Sequence, residues 1–265
     1  MRIPKSLHFI WMGKNLPRKY LRNIAFWAAR NPDYVVNLWT NRAMRIAGTL
    51  AMNDDIPSFA HRIRTLDELV VPRVLEGIVV REMNGPFNNF AAASDVLRLV
   101  ILFAEGGVYL DTDVVCTRGQ TLRNITFAPR LGQLSSPRGF LVASGHAANH
   151  SVPQNAVMAS CPQSLIVFNI ALAISRNYRE GFGSPDDSWG AKRVPARADD
   201  AYANRRLMTI GMSGPSVVEE VLAKLRLVDR DRVIDPLVRF PMHTLQIPCD
   251  KNWLGIGKYR SAEWP

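Results

Sequence analysis

The sequence predicts an α/β fold, a parallel sheet with helices on its faces. Three observations carry this. An apolar run, Leu7–Met12 (LHFIWM), is followed by a segment with helical spacing and then by a second apolar run, Tyr34–Trp39 (YVVNLW). A long apolar helix over Asn88–Ala104 leads, through two glycines, into a third β-rich run at Val108–Val115. Strand, helix and strand in alternation is the pattern of a parallel sheet packed between helices.

Leu7–Met12 reads as a buried strand, broken by Gly13 and Pro17. Arg18–Arg30 places Leu21, Ile24, Ala25 and Ala28 at helical spacing, and Asn31-Pro32 ends it. Tyr34–Trp39 is the second strand, with Thr40 as cap of the helix after it. Residues 57–83 read as mainly helical, broken at Pro57, Pro72 and Gly77, and with the next helix form a helical insertion over 57–104. Asn88–Ala104 is a strong helix, stopped by Glu105-Gly106-Gly107 because glycine readily ends helices. Phe140–Ala143 is a further strand and Ser164–Arg176 a further helix. Ser213-Gly214-Pro215 opens a last helix to about Leu225, with Ser213 or Ser216 as cap. Residues 181–205 are rich in Gly, Pro, Ser, Asp and Ala and read as a loop. The tail, residues 250–265, carries Trp253, Tyr259 and Trp264 among glycines and charges. No repeat or low-complexity tract divides the chain, so residues 1–265 are expected to form one domain.

Composition narrows the function classes. The chain has 265 residues, 47% of them hydrophobic and 21% charged, which are ordinary globular values with length enough for a substantial core. It has no apolar stretch of about 18 residues, and its N-terminus reads as a strand and not as a secretory signal. Cys116, Cys161 and Cys249 form no CxxC pair, so neither a zinc knuckle nor a disulfide framework is expected; buried, inert thiols in a reducing cytoplasm fit. The net charge of +10 favours anionic partners. The basic residues are scattered, mostly arginine, and not interleaved with aromatics, which speaks against nucleic acid. A diphosphate ligand and peripheral contact with an anionic membrane are both compatible with it. Of the five histidines, only His146 and His150 stand at i,i+4, in a Gly/Ala/Asn stretch that favours ordinary polar roles. Trp27 and Trp39 suit core packing.

The chemistry concentrates in GVYLDTDVV. Asp111 and Asp113 are two apart, so on a strand both carboxylates face one side. Such hard oxygen ligands suit Mg²⁺ or Mn²⁺, which keep sites free for phosphate oxygens and neutralise a departing diphosphate. Alone, the pair reads equally as solvated carboxylates at a strand end. Asp95 and Arg98 on the upstream helix are three apart and share a face. They read either as a surface ion pair or, in so apolar a helix, as a buried pair that grips sugar hydroxyls.

IPKSLHFIWMGKNLP (Ile3–Pro17) and NNFAAASDVLRLVILFAEGGVYLDTDVV (Asn88–Val115), in that order, resemble the glycosyltransferases with a DxD sugar-binding region. That family includes the glucosyltransferase domains of large clostridial toxins, yeast-type initiating α-mannosyltransferases and many bacterial polysaccharide enzymes. Asn155-Ala156-Val157-Met158-Ala159 and Gly211-Met212-Ser213-Gly214-Pro215 fit the same order more loosely. The resemblance implies a GT-A fold, a Rossmann-like central sheet with helical additions and ligands at the carboxyl ends of the strands. It implies that Ile10 and Trp11 line the base pocket, with Trp11 stacking on a uracil-like ring. Asp95, Arg98, Tyr109 and Asn155 would contact the donor, and Asp111 and Asp113 would hold donor and metal. The resemblance also implies that the tail, residues 250–265, closes the site as a lid, though it departs from the family's pattern in lacking its histidine; Ser261 and Trp264 would cover the diphosphate and Glu263 would complete the metal shell, while Lys258 or Arg260 could neutralise phosphate.

The implied reaction is metal-dependent, retaining transfer of a sugar from a nucleotide-diphosphate donor, with UDP favoured by Trp11. The expected acceptor is a cell-surface polysaccharide or lipopolysaccharide, built in the cytoplasm at the inner face of the membrane; the alternative is a secreted effector that glycosylates a host protein. Two remote readings compete. An aspartate-based phosphatase shares the apolar strand and DxDxV, but needs a suitably placed downstream lysine, and the chain has none between Lys19 and Lys192. An inactive sugar-binding module is disfavoured by the intact Asp95, Arg98, Asp111 and Asp113.

Overall fold

A computed structural model of the chain describes residues 1–13, 15–52, 61–84, 89–116, 136–147, 150–180, 209, 211–228, 234–235, 237–240 and 245–246. Its elements in order are β1 (Ser6–Trp11), α1 (Arg18–Arg30), β2 (Val35–Thr40), α2 (Ala43–Ala51), β3 (His61–Thr65), a 3₁₀ turn (Leu66–Glu68), α3 (Arg73–Asn84), α4 (Phe90–Glu105), β4 (Gly107–Leu110), β5 (Val115–Cys116), β6 (Phe140–Ala147), β7 (His150–Ser160), α5 (Leu165–Glu180), α6 (Pro215–Lys224) and β8 (Leu245–Gln246). Six strands form one sheet in the order β3-β2-β1-β4-β7-β6, and β5 pairs with β8 in a separate ribbon.

The sheet is mixed. β1 runs parallel to β2 and β4, and β2 parallel to β3. β7 is antiparallel to both β4 and β6. The connection from β6 to β7 is too short for a parallel crossover, which needs a dozen or more residues, so the pair closes as a hairpin.

Alternation along the central strands splits the core in two. Leu7, Phe9 and Trp11 of β1, with Val108 and Leu110 of β4, pack against Leu21, Ile24, Ala25 and Trp27 of α1 and Ile46 of α2. Ile10, Tyr109, Val142 and Met158 face the other way, onto α3, α4, α5 and α6. Trp27 and Trp39 are core residues, 1% and 0% exposed.

Three local expectations change. His61–Thr65 is a strand and not part of a helix; it lies at the sheet edge, where Arg62 is exposed and Arg64 stacks over the Trp39 ring, so basic residues hide the period-two pattern. Thr40 does not cap α2: its Oγ1 accepts from the Arg42 N–H at 3.1 Å, a turn that precedes the helix. Neither Ser213 nor Ser216 caps α6, whose N-cap is Gly214 without a side-chain bond.

The joint between α4 and β4 is tightly specified. Asn89 caps α4 by accepting from the Ala92 N–H at 3.2 Å. Gly106 and Gly107 follow at φ +66° and +92°, in the left-handed region. A Cβ on Gly107 would lie 2.8 Å from His8 Nε2 and 2.8 Å from the Ser6 carbonyl oxygen. His8 is fully buried, and its Nδ1 accepts from the Trp39 indole N–H at 3.1 Å. Burial pushes its pKa down to about 3, so the imidazole is neutral and structural. Cys161 is half-buried, its Sγ lies 3.0 Å from the Arg2 carbonyl, and burial raises its thiol. The Cys116 side chain, Cys249, and the His146, His150 and His243 side chains lie outside the described residues, as do the 181–205 loop and the 250–265 lid. No helix among the described residues is long and apolar enough to cross a membrane.

Candidate active site

The glycine joint reverses the chain, so α4 and β4 lie side by side. Asp95 stands ten residues before the end of α4, about 15 Å along the helix. Asp111 stands four residues beyond the start of β4, about 13 Å along the strand. The two carboxylates therefore arrive at one level, at the carboxyl end of β4 in the middle of the sheet. Tyr109 and Asp111, two apart, project to the same face, the one α4 covers.

Arg98 joins the two levels. Its Nη2 lies 2.8 Å from Asp95 Oδ1 and its Nη1 3.3 Å from Asp111 Oδ1. Its Nε donates to the Ser94 carbonyl at 3.2 Å and its Nη1 to the Asn155 carbonyl at 2.5 Å, while its face lies over the Tyr109 ring, 4.5 Å from the centroid. The guanidinium thus donates hydrogen bonds to two carbonyls while its charge pairs with two carboxylates. Burial works against its charge, but Asp111, Tyr109, Asp95 and Asp113 hold its pKa above the usual value.

Asp95 is 7% exposed and Arg98 4% exposed, so the surface-pair reading is excluded. Asp95 Oδ1 also accepts from Asn155 Nδ2 at 2.8 Å, and Oδ2 accepts from Ser213 Oγ at 3.0 Å. Burial pushes its pKa up to about 7, with Asp111 adding to the rise, against the pull of Arg98, Ser213 and Asn155. The Tyr109 hydroxyl donates to Asp111 Oδ1 at 2.7 Å, and burial raises the phenol's pKa well above its ordinary value.

The aspartate pair itself sits differently from expectation. β4 ends at Leu110, and Asp111–Val114 is a turn closed by the Val114 N–H on the Asp111 carbonyl at 3.0 Å. The Asp111 N–H donates to the Ala156 carbonyl of β7 at 2.9 Å. The carboxylates are thus brought together by a turn beyond the strand end and not by strand alternation. Asp113 is pushed up to about 6, by burial first and by the Asp111 charge second. Three carboxylates share one arginine here, an excess of negative charge and hard oxygens that suits a divalent cation. Among the described residues no three His, Cys, Asp or Glu side chains converge on one point; Glu263, expected as third ligand, lies outside them, as do Ser261, Trp264, Lys258 and Arg260.

Asp95, Arg98, Tyr109, Asp111 and Asn155 form one bonded cluster. Ile10 and Trp11 do not share a face: Ile10 packs on the α4 side and Trp11 on the α1 side. Trp11 is 2% exposed, its ring against Tyr20 at 5.5 Å between centroids. Ser213 was legible only as a cap, yet it is a partner of the buried Asp95; the preceding loose match at Gly211–Pro215 was the available signal. Asn23 of α1 also reaches the site, donating to the Thr112 carbonyl at 3.1 Å.

Residues 17–127 match the glycosyltransferase sugar-binding region containing the DXD motif. Among curated proteins, the Legionella pneumophila "Subversion of eukaryotic traffic protein A" is 27% identical over 229 residues, 86% of this chain and 33% of that protein. The Schizosaccharomyces pombe "Inositol phosphoceramide mannosyltransferase 3" is 29% identical over 137 residues, 52% of this chain and 31% of that protein. A protein named "Toxin" from Photorhabdus asymbiotica is 24% identical over 204 residues, 68% of this chain and 6% of that protein. The chain thus spans a third or less of the length of these relatives. Among solved structures, the PaToxG glycosyltransferase superposes with a TM-score of 0.60 at 22% identity, covering 84% of this chain and 70% of that one. The UDP-bound glycosyltransferase domain of the YGT toxin gives 0.60 at 16% identity, covering 89% and 80%. The catalytic domain of α-toxin from Clostridium novyi gives 0.58 at 14% identity, covering 89% and 74%. The fold is therefore of the GT-A type seen in these glycosyltransferase domains, and residues 17–127 match the sugar-binding region containing the DXD motif.

Proposed function

We propose that the chain is a metal-dependent, retaining glycosyltransferase that uses a UDP-sugar, working as one domain with a helical insertion and the 250–265 tail as its lid. The observation that carries this reading is the buried cluster in which Arg98 bonds Asp95 and Asp111 at once, at the carboxyl end of the central strand. Asp111 and Asp113 would hold Mn²⁺ or Mg²⁺, with Glu263 as third ligand; the metal supplies positive charge against the leaving diphosphate. Arg98 fixes the Asp111 carboxylate from the protein side, and the Tyr109 hydroxyl fixes the same oxygen, so that carboxylate keeps one orientation through the reaction. Asp95, Asn155 and Arg98 would read the sugar hydroxyls. Trp11 would carry the base once Tyr20 moves aside, with Ile10 beside it, and Ser261 and Trp264 would close over the diphosphate. The acceptor hydroxyl attacks the anomeric carbon on the face the diphosphate leaves; the C–O bond to UDP breaks, and a leaving phosphate oxygen takes the acceptor proton. Trapping a covalent sugar–protein adduct would argue directly against this route.

For the acceptor, the names of the Legionella and Photorhabdus relatives favour a host protein and hence a secreted effector. The name of the fission yeast relative favours a glycolipid, which accords with a basic chain meeting an anionic membrane. A polysaccharide acceptor at the inner membrane face is the third reading. Screening UDP- and GDP-sugars for Mn²⁺-dependent hydrolysis, then offering host-cell lysate, lipid extract and polysaccharide with the labelled donor, tests both halves. Hydrolysis of GDP-sugars alone would overturn the UDP assignment.

A further inference from the structure

The Asp95–Arg98–Asp111 cluster holds the aspartate turn from one side only. On the other side stands α1. Asn23 Nδ2 donates to the Thr112 carbonyl at 3.1 Å and Trp27 Nε1 to the Val114 carbonyl at 2.9 Å. Asn23 and Trp27 are one helical turn apart and share a face, so a single rigid helix holds two carbonyls of the same turn. Those carbonyls belong to the residues on either side of Asp113. With the Asp111 N–H bonded to Ala156 and the Val114 N–H to the Asp111 carbonyl, the backbone around Asp113 is anchored at its start, middle and end. Thr112 is 8% exposed, while Trp27 and Val114 are 1% and 0% exposed, so water is a poor substitute for these donors. Core packing explains the size and apolar character of Trp27; it does not explain the indole N–H aimed at the turn.

We propose that Asn23 and Trp27 are positioning residues for the divalent cation: α1 fixes the turn backbone and thereby the direction of the Asp113 carboxylate. This rests on the reading of Asp111 and Asp113 as the metal-holding pair. Partners one step removed from a metal commonly govern affinity by about 10–100-fold.

The test is Mn²⁺ binding to the full chain without donor, read by electron paramagnetic resonance of the free ion, with circular dichroism as a check on folding. Trp27→Phe keeps the ring and removes the donor; Asn23→Leu keeps the shape and removes the donor. Each is expected to weaken Mn²⁺ binding by about 10-fold or more, and Phe26→Leu, on the solvent side of α1, to leave it unchanged. Should Trp27→Phe fail to fold, the half-buried Asn23→Leu carries the test. Folded variants that bind Mn²⁺ within about twofold of the parent, while Asp113→Ala does not bind, would overturn the role of α1 and leave the metal pair standing. Undiminished binding by Asp113→Ala would instead overturn the metal pair, and this inference with it.

Discussion

Ser213→Ala isolates one bond in the site. Asp95 Oδ2 accepts from Ser213 Oγ at 3.0 Å, while Oδ1 is held by Asn155 and Arg98. A hydrogen bond to a charged group contributes about 1.5–3 kcal/mol. Since one pKa unit corresponds to about 1.4 kcal/mol, losing a bond that favours the carboxylate raises its pKa by about one to two units. Asp95 starts at about 7, raised mainly by burial. If the ionised carboxylate grips the sugar, the acidic limb of the kcat/KM profile moves up from about pH 7 to about 8–9 in the variant. Stability follows the same linkage. A carboxyl raised above its unfolded value favours the fold below about pH 4, and that contribution is lost as pH rises through 7. Ser213→Ala therefore costs little in acid and most above pH 8. The assay is donor hydrolysis from pH 5.5 to 9.5, with urea unfolding at both ends and Ser213→Thr as the variant that restores the hydroxyl. A profile for Ser213→Ala that superimposes on the parent's would refute the coupling of Ser213 to Asp95.

Two further outcomes concern the frame that places the site. His8 is held neutral with its pKa lowered to about 3, so the unfolded chain takes up its proton first as pH falls below about 6.5. Stability should fall by about 2 kcal/mol between pH 7 and 5 through this group; urea unfolding should show that loss in the parent and not in His8→Gln, and equal losses would contradict it. Gly107→Ala places a Cβ 2.8 Å from His8 Nε2 and from the Ser6 carbonyl oxygen at φ +92°, so a loss of about 2–4 kcal/mol by the same measurement is expected, and a loss below about 0.5 kcal/mol would show that the joint relaxes.

Where the sequence was legible, one physical pattern dominated. The α4–β4 unit could be read because its apolar helix, its two glycines and its β-rich run are local signals, and the helix and strand lengths alone bring Asp95 level with Asp111. β3 was not legible, because on this edge strand Arg62 is exposed and the inward place is taken by Arg64, stacked over the Trp39 ring, so no apolar alternation shows. The Asp111–Val114 turn was masked by the β-propensity of Thr112, Val114 and Val115, which favours a continuous strand. Its end is set instead by tertiary donors: Asn23 and Trp27 lie 89 and 87 residues away. Ser213 and Asp95 are 118 residues apart, and only the folded chain shows that a serine suited to a helix cap serves a buried carboxylate.

The most direct test is Mn²⁺-dependent release of UDP from a panel of UDP-sugars by the parent chain, Asp111→Ala and Asp113→Ala. The parent should release UDP from at least one sugar, stop on chelation and recover with added Mn²⁺, while both variants fall by about 100-fold or more, the scale of a lost electrostatic group in an active site. Full activity in both variants, or release that ignores chelation, would contradict the account.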